Sequence, residues 1–209
     1  MPITIACLHT AASNAPLFEA AAQALPGGAL RLTHEVRPDL LREPTPGTLA
    51  EAASLLRRLA EGADAVLLTC STIGAAAVQV TGAPCPVLRA DAALAEAACR
   101  SGGLVHVLYA APTTRGPTKA LFTAAAAKTG ASLELRLVEG GWDMFLAGDL
   151  AGYHAAIAAT AEGLPGRVVL AQASMAPATA LMDAAPPLTV PAIGVMAAAR
   201  AAVRGRNPG

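Results

Sequence analysis

Short apolar runs alternate along the chain with longer segments whose apolar positions recur at the period of a helix. The apolar runs predict eight strands: Ile3–His9, Leu30–Val36, Ala65–Cys70, Val87–Leu88, Leu104–Tyr109, Leu133–Val138, Val168–Gln172 and Leu188–Val190. The helical spacing predicts eight helices: Ala15–Leu25, Thr48–Glu61, Gly74–Val80, Ala92–Arg100, Thr118–Thr129, Leu150–Glu162, Pro177–Asp183 and Gly194–Arg204. A polar tail, residues 205–209, is expected to be disordered. This alternation is typical of an α/β fold, a mostly parallel sheet flanked by helices.

The chain also compares well with itself when it is shifted by 102 residues. Residues 65–75, AVLLTCSTIGA, then fall on residues 167–177, RVVLAQASMAP, and the order and spacing of the predicted elements agree. We therefore predict two similar lobes related by a pseudo-two-fold axis, residues 1–91 with 194–209 and residues 92–193. Ligands of parallel α/β sheets bind beyond the carboxyl ends of the strands. The repeat thus predicts a cleft between the lobes, with Cys70 and Gln172 facing each other across it.

Composition narrows the class of partner. The chain of 209 residues is 54% hydrophobic but only 3% aromatic, and 15 basic residues balance 15 acidic ones. Because it has neither a basic stripe nor an acidic run, nucleic acid and membrane surfaces are not expected partners, and a small molecule is. The start, MPITIACLH, lacks the basic region of a signal peptide, and the four cysteines show no CxxC spacing. Free thiols and a cytoplasmic location are therefore predicted.

Cys70 is the main candidate for chemistry. It ends an apolar strand and is followed by Ser71, Thr72 and a helical pattern. A thiol near a helix N-terminus is favoured as the reactive thiolate, and Ser71 and Thr72 could cap the helix or hold a carboxylate. The alternative is that Cys70 is one of the many free cysteines that only pack at a strand end.

Three segments carry a resemblance to a known family. The segment LLTCSTIG, residues 67–74, resembles the first cysteine loop of the aspartate/glutamate racemase superfamily, and VVLAQASMA, residues 168–176, resembles its second. VHVLYAAPTT, residues 105–114, resembles the strand and loop that open the second lobe. The superfamily includes glutamate, aspartate and hydantoin racemases, maleate isomerase and arylmalonate decarboxylase. The resemblance implies a cofactor-independent enzyme that acts on the carbon beside a carboxylate, between two cysteines that remove and return a proton, and it implies a homodimer.

The sequence departs from that scheme at the second cysteine, where it has Gln172. An amide neither donates nor accepts a proton in catalysis near neutral pH. One-sided chemistry by Cys70, as proton-transfer group or nucleophile, is therefore expected: racemase-like isomerisation with another proton donor, or decarboxylation. The alternative, from a different class, is a non-catalytic carboxylate-binding protein on the same fold. A serine hydrolase is a weaker option, because Ser174 lacks the flanking glycines of a nucleophile elbow.

Other polar residues follow the strands and complete the predicted site. His9 closes the first strand and is the candidate second proton donor; the alternative is a hydrogen-bonded histidine at a strand end. The predicted substrate-binding residues share a hydroxyl or amide near a strand end, and they are Thr10, Ser71, Thr72, Thr113, Thr114, Gln172 and Ser174. For the threonines and Ser174, helix capping is the competing interpretation.

The remaining candidates favour structural roles. No cluster of His, Cys and carboxylate residues has ligand spacing, so no metal site is predicted, and no glycine-rich motif indicates a nucleotide cofactor. The other histidines and cysteines are interpreted as structural: Cys7, Cys85, Cys99, His34, His106 and His154. Trp142 falls in a glycine-flanked stretch that predicts a loop, either a lid or a cover for a helix.

Overall fold

A computed structural model describes residues 2–26, 30–183 and 186–206 of the chain. They form two compact units, residues 1–93 with 191–209 and residues 94–190. Each unit contains one parallel sheet of four strands. The first unit is called the N-unit below and the second the C-unit.

The sheet of the N-unit has the strand order β2-β1-β3-β4. Its strands are β1 (Ile3–His9), β2 (Leu30–Val36), β3 (Ala65–Leu68) and β4 (Val87–Arg89). Its helices are α1 (Ala15–Gln23), α2 (Pro46–Ala60), the start of α3 (Ala90–Cys99) and most of the last helix, Val190–Arg206. The four residues of β3 are all buried, as expected for a parallel strand that is covered on both faces.

The sheet of the C-unit repeats this arrangement with the order β6-β5-β7-β8. Its strands are β5 (Leu104–Tyr109), β6 (Ser132–Leu137), β7 (Arg167–Leu170) and β8 (Leu188–Thr189). Its helices are α4 (Arg115–Ala127), α5 (Gly141–Leu146) and α6 (Leu150–Ala161), which makes the last helix α7. The edge strand β6 alternates exposed and half-buried residues, because its polar face meets water.

The predicted α/β fold of two similar halves is confirmed, and the repeat extends to single hydrogen bonds. Beyond β3, the N–H of Thr69 donates to the carbonyl of Leu8 at 3.1 Å. At the equivalent place beyond β7, the N–H of Ala171 donates to the carbonyl of Leu108 at 2.9 Å. In both units one further bond thus ties the chain to the central strand after the sheet ladder ends.

Several predicted bounds were wrong. Strands β3 and β7 end two residues before Cys70 and Gln172, so both residues lie in loops. The segments that follow are 3₁₀ helices, Gly74–Gln79 and Ala173–Leu181, and the second contains Pro177, whose missing N–H disfavours an α-helix. Trp142 lies in α5, which was predicted as a loop.

The last helix also differs from its prediction. It begins four residues earlier than predicted, because Pro191 is tolerated in a first turn, and it continues through Arg206. The guanidinium of Arg206 holds this end of the helix, with Nε 2.8 Å from the carboxylate of Asp64. The predicted disorder of residues 207–209 lies outside the described residues.

Capping residues explain where two helices begin. Thr45 precedes α2 and accepts the N–H of Thr48 on its hydroxyl at 3.2 Å. Asp149 precedes α6 and accepts the N–H of Gly152 on its carboxylate at 2.9 Å. Within the described residues, no helix has both the length and the apolar character needed to cross a membrane.

Candidate functional site

The predicted site residues lie at the carboxyl ends of the strands or in the segments that directly follow them, where parallel α/β sheets bind ligands. The C-unit also has an open cavity of about 980 Å³ at the opposite, amino end of its sheet. The cavity is lined by the starts of β5, β7 and β8 and by the end of α6, with Leu104, Arg167 and Leu188 among its walls. None of the predicted site residues lines it.

Cys70 is a free, half-buried thiol two residues beyond β3. The next helix, Gly74–Gln79, is a single short 3₁₀ segment whose N-cap is Ile73, with no side-chain cap. Ser71 and Thr72 therefore do not cap it, and the predicted support from a long helix dipole is reduced. Cys70 stays accessible on a loop anchored by the bond from Thr69 to Leu8.

An arginine that the sequence analysis did not single out lies against this loop. Arg89 ends β4, and a side chain added at Gly74 would collide with its guanidinium group. Asp91 binds the guanidinium twice, Nε to Oδ1 at 3.0 Å and a second nitrogen to Oδ2 at 2.8 Å. This ion pair is partly buried and places a fixed positive charge beside the turn that follows Cys70.

His9 is fully buried at the end of β1, and both of its ring nitrogens have protein partners. Nδ1 lies 2.8 Å from the hydroxyl of Thr69, and Nε2 lies 2.9 Å from Nδ1 of His34. The chain continues from His34 Nε2 to the carboxylate of Glu19 at 3.0 Å. Burial, and then the neighbouring His34, lower the pKa of His9 to about 4. His9 is therefore neutral at pH 7, in the hydrogen-bonded state that the structural interpretation expected.

The same cluster contains a third donor for metals. The sulfur of Cys7 and ring nitrogens of His9 and His34 all lie within 4.8 Å of one another. Sequence spacing could not reveal this group, because His34 joins it through the pairing of β2 with β1, where it is the direct partner of Cys7.

Three predicted binding hydroxyls of the N-unit are unengaged. Thr10, Ser71 and Thr72 make no side-chain hydrogen bond to any part of the chain that the structure describes. Thr10 is almost fully buried, whereas Ser71 and Thr72 are half-buried. Their hydroxyls are free to bind a ligand.

Gln172 occupies the position that corresponds to Cys70 in the C-unit, and its side chain organises the neighbouring loop. Its amide oxygen accepts two backbone N–H groups, from Ala110 at 2.6 Å and from Ala111 at 2.9 Å. Since these two donors identify the oxygen, the amide nitrogen is fixed on the other side, and it has no partner among the described residues. Gln172 thus presents an N–H donor and no proton-transfer group.

Ser174 is held by helix α6. Its hydroxyl lies 3.0 Å from the phenol oxygen of the buried Tyr153, and its carbonyl lies 3.2 Å from Nε2 of His154. Burial raises the pKa of Tyr153, an effect that the bond to Ser174 partly offsets. The sequence analysis missed Tyr153; its signal was the aromatic side chain beside His154 on the helix that precedes β7.

The two threonines after β5 differ in their engagement. The hydroxyl of Thr114 donates to the carbonyl of Ala111 at 2.7 Å, which closes its own turn. Thr113 is exposed and makes no side-chain hydrogen bond within the described ranges. Of this pair, only Thr113 has a free hydroxyl.

The sequence matches no protein-family model and none of the curated proteins. Solved structures do resemble it. Aspartate racemase of Picrophilus torridus superposes with a TM-score of 0.72 at 11% identity, over 96% of this chain and 94% of that one. Allantoin racemase of Pseudomonas fluorescens gives 0.63 at 14% identity, over 95% and 90% of the two chains.

A liganded double mutant of arylmalonate decarboxylase also resembles the chain, with a TM-score of 0.62 at 16% identity over 96% and 92% of the two chains. The TM-scores and coverages demonstrate a common fold, and at such low identities they demonstrate the fold alone. The chain has the fold of the aspartate/glutamate racemase superfamily.

Proposed function

We propose that the protein is a cofactor-independent enzyme of this superfamily that acts on the carbon beside a carboxylate of a small acid. The observation that carries the proposal is Cys70, a free and half-buried thiol just beyond the carboxyl end of an inner strand. Ligands of this class of sheet bind at that edge. The neighbouring Ser71 and Thr72 offer unengaged hydroxyls, and the guanidinium of Arg89, paired with Asp91, lies beside the loop.

In the proposed chemistry a single thiol, Cys70, acts on one face of the substrate carbon. In a racemase-like reaction the thiolate of Cys70 removes the proton from the carbon beside the carboxylate, and the electron pair passes into an enediolate-like intermediate. In a decarboxylase-like reaction the bond to the departing CO₂ breaks instead, and the Cys70 thiol gives its proton to the carbon. Cys70 can return the removed proton to the same face or deliver a proton after CO₂ leaves, so hydrogen exchange and decarboxylation need no proton-transfer group at Gln172. Net racemisation would need a second proton donor on the opposite face of the substrate.

His9 is the weaker partner in this scheme. Its role as a second proton donor stays a prediction, and it would require His9 to release Thr69 or His34. Because its pKa is lowered to about 4, His9 carries no spare proton near neutral pH. We therefore assign the proton transfer to Cys70 alone.

The substrate carboxylate is proposed to bind the free donors of these loops. The N–H₂ of Gln172 and the hydroxyl of Thr113 are the unengaged donors in the C-unit, as Ser71 and Thr72 are in the N-unit. Hydrogen bonds from such donors strengthen when charge develops on the carboxylate oxygens in the transition state. That Cys70 and Gln172 flank one substrate stays a prediction of the repeat.

Product analysis tests the proposal. The purified protein is incubated with each enantiomer of aspartate and glutamate, with allantoin and with phenylmalonate, and chiral chromatography and CO₂ release are followed. Turnover of any of these by the wild type, lost in Cys70→Ser, supports an enzyme. If none is racemised or decarboxylated, the enzyme proposal fails for the substrates of its structural neighbours.

The second candidate function is carboxylate binding without catalysis, and Gln172 is the observation that favours it. Gln172 keeps a hydrogen-bond donor where the fold's racemases use a second thiol, and its oxygen stabilises the loop. Thermal-shift measurements discriminate between the two functions. A carboxylate that raises the melting temperature, is never turned over and binds equally well to Cys70→Ser would support binding alone.

A further inference from the structure

The N-unit brings three metal-binding side chains together on one face of its sheet. Cys7 and His9 are two residues apart on β1 and therefore point to the same face, and His34 is the direct neighbour of Cys7 on β2. The sulfur and the ring nitrogens all lie within 4.8 Å of one another. Neutral imidazole and thiolate are the ligands that zinc-class ions prefer.

Thr69 holds one of the two ring nitrogens of His9. Its hydroxyl lies 2.9 Å from the carbonyl of Leu8 and 2.8 Å from Nδ1 of His9. In the tautomer with the proton on Nδ1, which donates to Thr69, Nε2 carries a lone pair that a metal can accept. That lone pair points at Nδ1 of His34, 2.9 Å away.

His34 carries its proton on the ring nitrogen that faces away from His9. Its Nε2 lies 3.0 Å from the carboxylate of Glu19, which can only accept, so this nitrogen is the one that carries the proton. A metal ion between the two rings would accept a lone pair from Nε2 of His9 and from Nδ1 of His34, while Thr69 and Glu19 hold the far nitrogens.

Such outer partners are the usual companions of a metal-binding histidine, because they fix the tautomer and the ring orientation. The spacing is also close to what an ion needs. Metal–nitrogen bonds of about 2.0–2.1 Å in a tetrahedral site hold two nitrogens about 3.3 Å apart. The two nitrogens are 2.9 Å apart here, so a movement of a few tenths of an ångström suffices.

Charge balance supports a divalent ion. A bound metal holds a thiolate outright. One divalent ion would neutralise a Cys7 thiolate and the Glu19 carboxylate, and the Glu19 side chain, which is 43% exposed, leaves an entry path beside the mostly buried His34.

We propose that Cys7, His9 and His34 form a binding site for one zinc-class divalent ion, with Thr69 and Glu19 orienting the two imidazoles. The site is structural: it joins the ends of β1 and β2 and, through Thr69, steadies the strand that leads to Cys70. His9 then serves as a ligand and not as a proton donor. No step of the proposed reaction passes through the ion.

The test titrates chelator-treated protein with Co²⁺, which replaces Zn²⁺ and absorbs visible light. One equivalent is expected to give a thiolate-to-cobalt charge-transfer band and tetrahedral ligand-field bands. Cys7→Ser should remove the charge-transfer band, and His34→Gln should weaken Co²⁺ binding by at least about tenfold. Cys99→Ser is the matched control, because Cys99 is also a buried free thiol, and it should bind Co²⁺ like the wild type.

Two results would overturn the proposal. One is the absence of a charge-transfer band in the wild type at millimolar Co²⁺; the other is a band that survives in Cys7→Ser. Because Cys7→Ser could fail to fold, wild-type thermal unfolding is measured as well, with and without Zn²⁺. The site predicts a higher melting temperature with one equivalent of Zn²⁺ in the wild type and none in His34→Gln, and an unchanged wild type contradicts it.

Discussion

Gln172 uses its amide oxygen to satisfy two backbone N–H groups that belong to Ala110 and Ala111. Replacing it with alanine leaves both donors of these buried residues unpaired, so Gln172→Ala is expected to lower the free energy of unfolding by about 1–3 kcal/mol. Gln172→Glu keeps an acceptor at the same place and should lose less. Urea denaturation at pH 7 measures both, and equal losses would contradict the loop-anchoring role.

His9 predicts a pH dependence of stability. Its pKa falls from 6.5 to about 4 on folding, so between these values the unfolded chain binds a proton that the folded chain does not. The free energy of unfolding is therefore highest above about pH 6.5, and it decreases by about 3 kcal/mol as the pH falls toward 4. The titratable groups around the His9 ring are Cys7 and His34, with Glu19 bound to His34. All three stay unchanged in the His9→Gln variant that tests this prediction.

Urea unfolding between pH 7.5 and pH 4 checks this prediction. His9→Gln should be less stable than the wild type at pH 7, and its free energy of unfolding should change less across the window. A variant with the same pH dependence as the wild type would show that His9 does not titrate as described.

The sequence identified the residues that follow strands but not the residues that reach them from elsewhere. Cys70 and Gln172 stood out because the repeat aligns them. Arg89, Glu19 and Tyr153 were missed, because each joins its cluster through packing between elements that sequence spacing does not encode. His34 was interpreted as structural because sequence spacing shows no chemical neighbour, yet it lies between His9 and Glu19.

The connection from α6 to β7 depends on a glycine. Gly166 has a φ of +80°, and a Cβ there would lie 2.6 Å from the backbone oxygen of Leu104. Gly163 has a similar φ of +68° but open space around it. The two positions thus share the conformational penalty and differ only in the contact.

We expect Gly163→Ala to cost about 1 kcal/mol, from backbone strain alone. Gly166→Ala should cost at least about 1 kcal/mol more, because β5 and β7 must separate to admit the methyl group. Thermal and urea unfolding of both variants give the comparison. Equal losses would mean that the approach to Leu104 is unimportant.

Strands were predicted best where an apolar run ends at a turn, and β1, β2 and β5 have their predicted bounds. The ends of β3 and β7 were placed two residues too late; the chain stays bound to the central strand through the N–H groups of Thr69 and Ala171 after the sheet ladder ends. Helix α5 was missed, since its six residues begin at the second of two glycines, Gly141, and are too few to show a helical period.

The strand order of the two sheets makes position 172 the equivalent of position 70. Gln172→Cys therefore restores the second thiol of a symmetric racemase. We expect the variant to interconvert the enantiomers of a substrate on which the wild type acts from one side, as measured by circular dichroism of the reaction mixture. Failure of the variant to racemise any substrate that the wild type accepts would count against the equivalence of the two loops.

The most direct test of the central claim is deuterium incorporation beside the carboxylate in D₂O, followed by proton NMR. Aspartate, glutamate and phenylmalonate are compared for the wild type, Cys70→Ser and Cys85→Ser, where Cys85 is a second half-buried free thiol of the N-unit. If Cys70 transfers the proton, the wild type and Cys85→Ser should incorporate deuterium, and the rate of incorporation should fall at least about 100-fold in Cys70→Ser. Incorporation that survives in Cys70→Ser would contradict the assignment of the chemistry to Cys70.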